Sequence, residues 1–359
     1  MASMSIHCVH KHYGKGEKIH RALRGISMEV QHGEFIALLG PSGSGKTSLL
    51  RAIAGLETID AGTISVAADV LSTAGRTTPP EQRGISVVFQ NHALWPHMSV
   101  FDNVAFPLRE KQRSLRSEEI CSQVEHALAE VGLSNMKSRV PGELSGGQKQ
   151  RVALARAMVG SPRLILFDEP LASLDLELRW DMMRHIAHLR DRGITIIYVT
   201  HNQEEALALA HRIAVLDQGT LLQIAEPEKL VFEPATAMVA QFVGGGNVLA
   251  AHVLEQINSC LLRVEVAGHS VIARCKHPPS SSQVSLSIAQ TAVSIGTGTG
   301  FLPTQLNHLF YQGHESLAEV TLTTGCNLQV RLPSKHGARV GDALPLQIHD
   351  AWVLPELIA

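Results

Sequence analysis

A glycine-rich segment that joins an apolar run to a helical pattern constrains this chain more than any other feature. The run Phe35–Leu39 predicts a buried strand, and residues 47–56 carry apolar side chains at helical spacing. Between them, residues 40–47 follow the spacing G-x-x-x-x-G-K-[ST]. Where a strand leads into such a loop and a helix follows it, backbone N–H groups surround phosphate oxygens. The segment therefore predicts a phosphate-binding loop at the edge of an α/β sheet.

Two residues of this loop have specific predicted roles. Lys46 is expected to reach the β- and γ-phosphates of a nucleoside triphosphate, and the Thr47 hydroxyl is expected to ligate Mg²⁺. A chance glycine-rich turn is the alternative, but the complete motif between a strand and a helix favours the nucleotide site.

Composition narrows the class of protein. The chain has 359 residues, enough for two domains, and its formal net charge of −2 gives no basis for a nucleic-acid partner. Its five cysteines are scattered without a C-x-x-C pair, so we expect neither a zinc site nor disulfides, and a reducing compartment. The sequence shows no secretory signal and no apolar stretch of about 18–20 residues. We therefore expect a soluble chain whose membrane association comes through a partner.

The histidines leave one metal site to consider. His10 and His12 alternate on a predicted strand, but no third ligand follows at metal-binding spacing. We therefore expect no metal to bind there.

The order of patterns along the chain predicts two domains. Strands and helices alternate over residues 1–243, which is typical of a mostly parallel α/β sheet, with a helical insertion at about 91–159. Polar residues 72–83, with two prolines, predict a loop. Three glycines at 244–246 predict a hinge, and short β-like runs follow in 244–359. That second part is expected to form a small β-barrel or sandwich.

Polar residues follow other predicted strands. Asp168 and Glu169 end the apolar run 164–167; we expect Asp168 to organise the metal and Glu169 to act as general base on the attacking water. Gln90 and His201 also follow predicted strands, and parallel strand ends meet at the same edge of a sheet. A surface turn at residues 168–170 is the alternative interpretation.

A second glycine-rich helix start lies at residues 144–148, Leu-Ser-Gly-Gly-Gln. Helix N-termini of this kind suit anions. It falls within the helical insertion, however, and one nucleotide site in one chain does not account for it.

The ordered motifs resemble those of ATP-binding cassette (ABC) ATPases. The resemblance spans residues 4 to about 240 and rests on residues 40–47, Gln90, 144–148, 164–169, Asp175 and His201. It implies an α/β P-loop NTPase cassette with a helical subdomain, followed by a small all-β, OB-like domain. It also implies ATP and Mg²⁺ as cofactors.

In that family two cassettes pack head to tail, and the signature of one subunit closes over the ATP of the other. The resemblance therefore implies a homodimer in which Ser145 and Gly147 touch the γ-phosphate in trans and Asp175 crosses the interface. It further implies that Tyr13 stacks on adenine and that His201 contacts the γ-phosphate.

The site residues predicted in this way form three groups. The catalytic group is Glu169, His201, Gln90 and Lys46, and the metal group is Thr47, Gln90 and Asp168. The nucleotide-binding group is Tyr13, Gly40, Pro41, Ser42, Gly43, Ser44, Gly45, Lys46, Thr47, Ser48, Ser145, Gly147, Gln148 and Asp175.

Finer features are similar to cassettes that serve importers. Residues 88–109 and 225–234 resemble those of sugar, polyamine, ferric-ion, sulfate and phosphonate systems, and residues 301–304 and 341–346 resemble their transport-associated domain. The resemblance implies an ATPase at the cytoplasmic face of the membrane, with permease subunits and, indirectly, a substrate-binding protein as partners. Ferric ion, polyamine and phosphonate are the substrates it favours.

Other functions stay open at this point. A maltose or other sugar importer subunit and a soluble ABC ATPase of DNA repair or translation are alternatives, as are an inactive cassette and an exporter. Three departures from the family pattern occur, at Asn202, at residues 172–173 and at His92. None of them removes a predicted catalytic group.

Overall fold

The computed structural model describes residues 4–14, 16, 19–111, 115–296 and 301–355. The chain divides into two compact units, Met1–Leu221 and Leu222–Ala359. This division lies N-terminal to the boundary predicted after residue 243. No helix within the described ranges combines the length and hydropathy needed to cross a membrane.

The first unit alternates strands and helices. In chain order its elements are β1 (Met4–Tyr13), β2 (His20–Val30), β3 (Phe35–Leu39), α1 (Lys46–Ala54), β4 (Ala61–Val66), β5 (Asp69–Thr73), β6 (Arg76–Thr77), β7 (Ile85–Val88), α2 (Val100–Lys111), α3 (Ser117–Glu130), α4 (Gly146–Met158), β8 (Leu164–Asp168), α5 (Leu176–Asp191), β9 (Ile196–Val199), α6 (Gln203–Leu209) and β10 (Arg212–Asp217). Strand β11 (Thr220–Ala225) carries the chain across the division.

A six-stranded sheet, ordered β11-β10-β3-β9-β8-β7, positions the predicted site. Its strands from β10 to β7 are parallel. Strands β3 and β9 are buried along their whole length, as expected for a parallel sheet covered on both faces. Because these strands are parallel, their carboxyl ends lie at one edge.

A second, antiparallel sheet has the order β2-β1-β4-β5-β6. Gly62 of β4 lies against a bulge in β1, where a Cβ atom would be 2.3 Å from the Cys8 carbonyl oxygen, so only glycine fits. His12 lies 3.4 Å from the Asp60 carboxylate. Among the described residues, no group of three or more His, Cys, Asp or Glu side chains could hold a metal by itself. The predicted loop at 72–83 is partly wrong, because it contains β6 and the end of β5.

The second unit is mainly β-structure. Two short helices, α7 (Pro227–Phe232) and α8 (Ala237–Phe242), precede β12 (Asn247–Gln256), β13 (Leu261–Val266), β14 (His269–Arg274), β15 (Gln283–Ile288), β16 (Val293–Ile295), β17 (Leu302–Tyr311), β18 (Glu315–Leu322), β19 (Asn327–Pro333), β20 (Ala343–Ile348) and β21 (Trp352–Val353). Strands β12, β13, β14, β21 and β15 close a barrel, and the others form a five-stranded sheet ordered β16-β20-β17-β18-β19. One hydrophobic cluster lies between the two. The all-β prediction is confirmed, although the sequence patterns predict none of β12, β16, β17 and β21.

A buried arginine fixes the end of the helix that follows the phosphate loop. Arg83 is 1 % exposed and donates to the carbonyl oxygens of Ala52 and Ile53, at 3.0 and 2.8 Å, in the last turn of α1. It also donates to the Thr78 carbonyl oxygen and the Ser72 hydroxyl. Burial lowers the pKa of Arg83 to about 10, so the group stays charged at neutral pH. Arg83 thus supplies a donor to the buried Ile53 carbonyl oxygen and a second donor to that of Ala52, which also accepts from the Gly55 N–H at 3.2 Å.

We expect Arg83→Met to destabilise the first unit by about 3 kcal/mol, because several buried acceptors would lose their donor. Urea unfolding of the full chain measures this change. The exposed Arg76→Met is the matched control and should change stability by less than about 0.5 kcal/mol. Equal, small effects of both variants would contradict the assignment.

Candidate functional site

The phosphate loop, residues 40–45, runs from the end of β3 into α1 and needs glycine at both ends. A Cβ atom on Gly40 would lie 2.1 Å from the Leu216 carbonyl oxygen. Gly45 has a φ of 102° and comes so close to β2 that a Cβ atom would lie 2.5 Å from the Ala22 carbonyl oxygen. Any larger residue at either position would displace the loop from the neighbouring strands.

Lys46 lies inside this loop rather than in solvent. Its side chain is buried, and Nζ donates to the carbonyl oxygens of Gly40 at 2.7 Å and Pro41 at 2.9 Å. Burial lowers the pKa of Lys46, while the carboxylates of Glu169 and Asp168 act in the opposite direction. The ammonium is therefore held in place by its own loop and faces two carboxylates.

The two adjacent acids lie at the end of β8. Burial raises the pKa of Asp168, and the neighbouring Glu169 raises it further, although Arg51 and Lys46 oppose this. Glu169 adopts a left-handed conformation with φ of 46°, and its N–H bonds to the Val199 carbonyl oxygen at 3.0 Å. This turn directs the chain away from the sheet directly after Asp168.

The predicted base and the predicted histidine are neighbours. The Glu169 Oε2 atom lies 3.4 Å from Nδ1 of His201, which follows β9. Gln90 is exposed, two residues beyond the end of β7. Since β7, β8 and β9 are parallel neighbours, the structure places all these residues at the same edge of the sheet.

Tyr13, at the end of β1, is 38 % exposed, with its hydroxyl tethered. The hydroxyl donates to the Glu57 carboxylate and lies within hydrogen-bond distance, 3.1 Å, of Ser48 Oγ, and the Lys11 ammonium lies 5.3 Å from the ring centroid. Burial is the main reason that the pKa of Tyr13 is raised. The ring is thus fixed beside the first turn of α1.

The second glycine-rich segment forms an exposed helix start. Ser145 caps α4: its Oγ accepts from the Gln148 N–H at 3.3 Å, and Gln148 Oε1 accepts from the Ser145 N–H at 3.0 Å. Gly147 is buried, and a Cβ atom there would lie 3.0 Å from the Leu178 side chain. Asp175, also exposed, caps α5 by accepting from the Leu178 N–H at 2.9 Å. Within the described residues, no hydrogen bond or ion pair joins Ser145, Gln148 or Asp175 to the acids or the lysine of the loop.

Sequence reasoning missed a buried carboxylate behind the histidine. Glu205 is 4 % exposed and accepts from the hydroxyls of Tyr198 at 2.8 Å and Thr200 at 2.9 Å. Asn202 caps α6 by accepting from the Glu204 N–H at 2.8 Å, so the departure at this position keeps an oxygen cap. These contacts fix the backbone on both sides of His201. Hydroxyl residues within an otherwise apolar strand were the available signal.

Comparisons with known proteins agree with this geometry. The family model described as "ABC transporter" matches residues 23–172. The spermidine/putrescine import ATP-binding protein PotA of Pseudomonas aeruginosa is 40% identical over 346 residues, 92% of each chain. The protein of the same name from Nitrosomonas eutropha is 45% identical over 276 residues, 76% of this chain and 74% of the relative.

The chain belongs to the ATP-binding subunits of ABC importers. Among solved structures, the dimeric ATP-binding cassette MJ0796, in a post-hydrolysis state with ADP and Pi bound, matches with a TM-score of 0.57 and 31% identity. That match covers 62% of this chain and 98% of the other. This ABC subunit binds and hydrolyses ATP, as the sequence motifs predict.

The residues of this ABC subunit fit a magnesium ion held together with phosphates. The Thr47 hydroxyl and the Asp168 carboxylate supply oxygen donors, which Mg²⁺ prefers, and Mg²⁺ commonly uses one or two carboxylates plus substrate phosphates. A carboxylate whose pKa is raised by burial and by a second acid is stabilised when a cation arrives.

We expect Asp168→Asn to stabilise the nucleotide-free subunit, by on the order of 1 kcal/mol at pH 7, while abolishing hydrolysis. The raised pKa of Asp168 means that the folded state disfavours the carboxylate. The free energy of unfolding therefore falls as pH rises above the ordinary aspartate pKa, and the Asn variant lacks that fall. Urea unfolding in EDTA from pH 4 to 8 measures it, with the exposed Asp191→Asn as control. A lower free energy of unfolding for Asp168→Asn than for the wild-type subunit at pH 7 would contradict the prediction.

Proposed function

We propose that the subunit binds MgATP between its own phosphate loop and the signature segment of a second copy, and so powers polyamine uptake through a membrane permease. The observation that carries this proposal is the similarity, over 92% of each chain, to a relative named as a spermidine/putrescine import ATP-binding protein. The lack of a hydrogen bond or ion pair between the phosphate-loop lysine and Ser145 or Asp175, within the described residues, supports a second copy as the source of the signature segment.

At the phosphate loop, backbone N–H groups and the start of α1 would receive the phosphates of ATP. Lys46 already lies inside the loop, so binding exchanges its bonds to the Gly40 and Pro41 carbonyl oxygens for bonds to the β- and γ-phosphates. Thr47, Asp168 and Gln90 would hold Mg²⁺, which when bound offsets negative charge on the phosphates. Tyr13 would lie against the adenine ring.

At the strand ends, Glu169 would accept a proton from the attacking water, and His201 would contact the γ-phosphate. Their separation of 3.4 Å supports joint action, because the histidine can orient the carboxylate before the water arrives. The left-handed backbone at Glu169 supports this role, since strain at a non-glycine residue is typical of functional sites.

The second half of the site is proposed to come from another copy. Ser145 and Asp175 are exposed caps of α4 and α5, and Gly147 allows these helices to approach closely. Such helix starts suit anions, which supports contacts of Ser145 and Gly147 with the γ-phosphate of the partner's nucleotide. The dimeric state of the MJ0796 cassette supports a head-to-tail homodimer.

A permease at the cytoplasmic face of the membrane would contact the segment after Gln90. There, Trp95 packs against Phe106 with ring centroids 4.2 Å apart and ring planes tilted by 40°, and buried Asn103 bonds to the Trp95 backbone. The result is a rigid, partly apolar surface beside the nucleotide site. A substrate-binding protein outside the membrane would deliver the polyamine to that permease.

Uptake by cells that lack this chain tests the substrate. We expect the wild-type chain to restore uptake of labelled spermidine or putrescine, and Lys46→Met to restore none, because its loop loses the charge that faces the phosphates. Lys276→Met, an exposed lysine of the second unit, is the control and should behave as wild type. The polyamine assignment would be contradicted if the wild-type chain restored uptake of ferric ion or a phosphonate but left polyamine uptake at the level of cells that lack the chain.

A further inference from the structure

The loop after Gln90 has a strained backbone that something must hold. His92 and Ala93 are consecutive non-glycine residues with left-handed φ angles of 61° and 47°. Such conformations are uncommon for residues with a Cβ atom, and they persist where surrounding contacts enforce them.

Arg156, in the last turn of α4, makes those contacts. Its guanidinium donates from Nη1 to the Ala93 carbonyl oxygen at 2.7 Å and from Nη2 to the His92 carbonyl oxygen at 2.8 Å. The same group lies over the Trp95 ring, 5.1 Å from the centroid. The planar guanidinium thus hydrogen-bonds to the carbonyl oxygens of two successive residues that have left-handed backbone conformations.

The partly buried guanidinium of Arg156 has an energetic cost, which indicates that its contacts with the loop matter to the protein. Burial lowers the pKa of Arg156 to about 10, and among the described residues no acidic side chain forms an ion pair with it. Its polar contacts are instead the two loop carbonyls and the tryptophan ring. Arg156 is partly buried, and a partly desolvated cation without a counter-ion is unfavourable unless hydrogen bonds offset the loss of water.

We propose that Arg156 is a positioning residue that holds Gln90 at the Mg²⁺ site by fixing the loop that follows it to helix α4. This inference rests on the proposed roles of Gln90 and of Ser145. Helix α4 begins just after Ser145 and has 13 residues, a length of about 20 Å. One end of a rigid helix would therefore contact the partner's nucleotide, and the other end would hold the metal ligand of this chain's own nucleotide.

This arrangement separates two kinds of binding. The phosphate loop does not involve Arg156, so Mg²⁺-free ATP should bind normally when the arginine is replaced. Mg²⁺ affinity should fall, because the released loop no longer keeps the Gln90 side chain at the strand edge. A role in stability alone would instead affect both ligands, or neither.

Hydrogen–deuterium exchange of the nucleotide-free protein tests the first step. In Arg156→Met, peptides covering residues 89–98 should exchange about tenfold faster, because the amides of His92 and Ala93 lose the conformation that Arg156 enforces. Arg163→Met, which removes an exposed arginine paired with Asp69, is the control and should leave that segment unchanged. Unchanged exchange in Arg156→Met would overturn the proposal.

A double-mutant cycle tests the link to the metal. Mg²⁺ binding is measured by calorimetry on the ATP-loaded Glu169→Gln protein, with Gln90→Ala and Arg156→Met singly and together. We expect Arg156→Met to weaken Mg²⁺ binding about fivefold alone but less than about twofold in the Gln90→Ala background. Arg156→Lys keeps the charge but loses the planar guanidinium, so its Mg²⁺ affinity should lie between those of the wild-type arginine and Arg156→Met. It replaces the Met variant in the cycle if that variant does not fold.

The outcomes distinguish the inference from the function on which it rests. An equal loss of Mg²⁺ affinity in both backgrounds, or a parallel loss of Mg²⁺-free ATP binding, would overturn the positioning role and leave the proposed function intact. Unchanged Mg²⁺ affinity in Gln90→Ala would contradict the metal role of Gln90 and overturn the inference with it.

Discussion

A buried ammonium that faces two adjacent carboxylates is the interaction on which the rest of this structure depends. Lys46 is held by the carbonyl oxygens of its own loop, and Asp168 and Glu169 end the strand two places away in the sheet. The parallel sheet brings these charges to one edge, and burial shifts the pKa of Lys46 downward and that of Asp168 upward. Both shifts show that the surroundings disfavour the charged forms of these side chains. Phosphates beside Lys46 and a cation beside Asp168 would favour the charged forms, which links ATP binding to the stability of the site.

Under the proposed function, a second copy of the chain completes the site. The helix start at Ser145 makes its hydrogen bonds within α4, and Gly147 packs on α5 rather than on the phosphate loop. In the proposed dimer, helix α4, which begins at this segment and carries Arg156 in its last turn, would connect two nucleotide sites. Closing and opening of that dimer would move the helix, and the adjoining surface around Trp95 would pass the motion to a membrane partner.

Much of the fold and the site could be predicted because the deciding signals are local. The phosphate-loop spacing, the acids after β8 and the cap at Ser145 are all contiguous in sequence. Strands β12 and β17 escaped prediction because a polar residue occupies a buried position in each, Asn247 in β12 and Thr304 in β17, which weakens the apolar pattern. Both strands are stabilised by barrel and sheet partners. Glu205, Arg83 and Arg156 escaped for a related reason. Each forms hydrogen bonds with backbone or hydroxyl groups on other elements. Contacts of this kind produce no motif of fixed residue spacing that could be recognised in the sequence.

The central claim is that each nucleotide site is completed by a second copy, and mixing two inactive variants tests it most directly. Lys46→Met removes the phosphate-loop charge, and Ser145→Arg blocks the signature helix start. If sites form in trans, random mixing makes half of the dimers mixed, and each mixed dimer holds one complete site. ATPase activity of the equimolar mixture should then return to about a quarter of the wild-type rate. Activity that stays at the level of the separate variants would contradict the claim, because it would place both halves of the site in one chain.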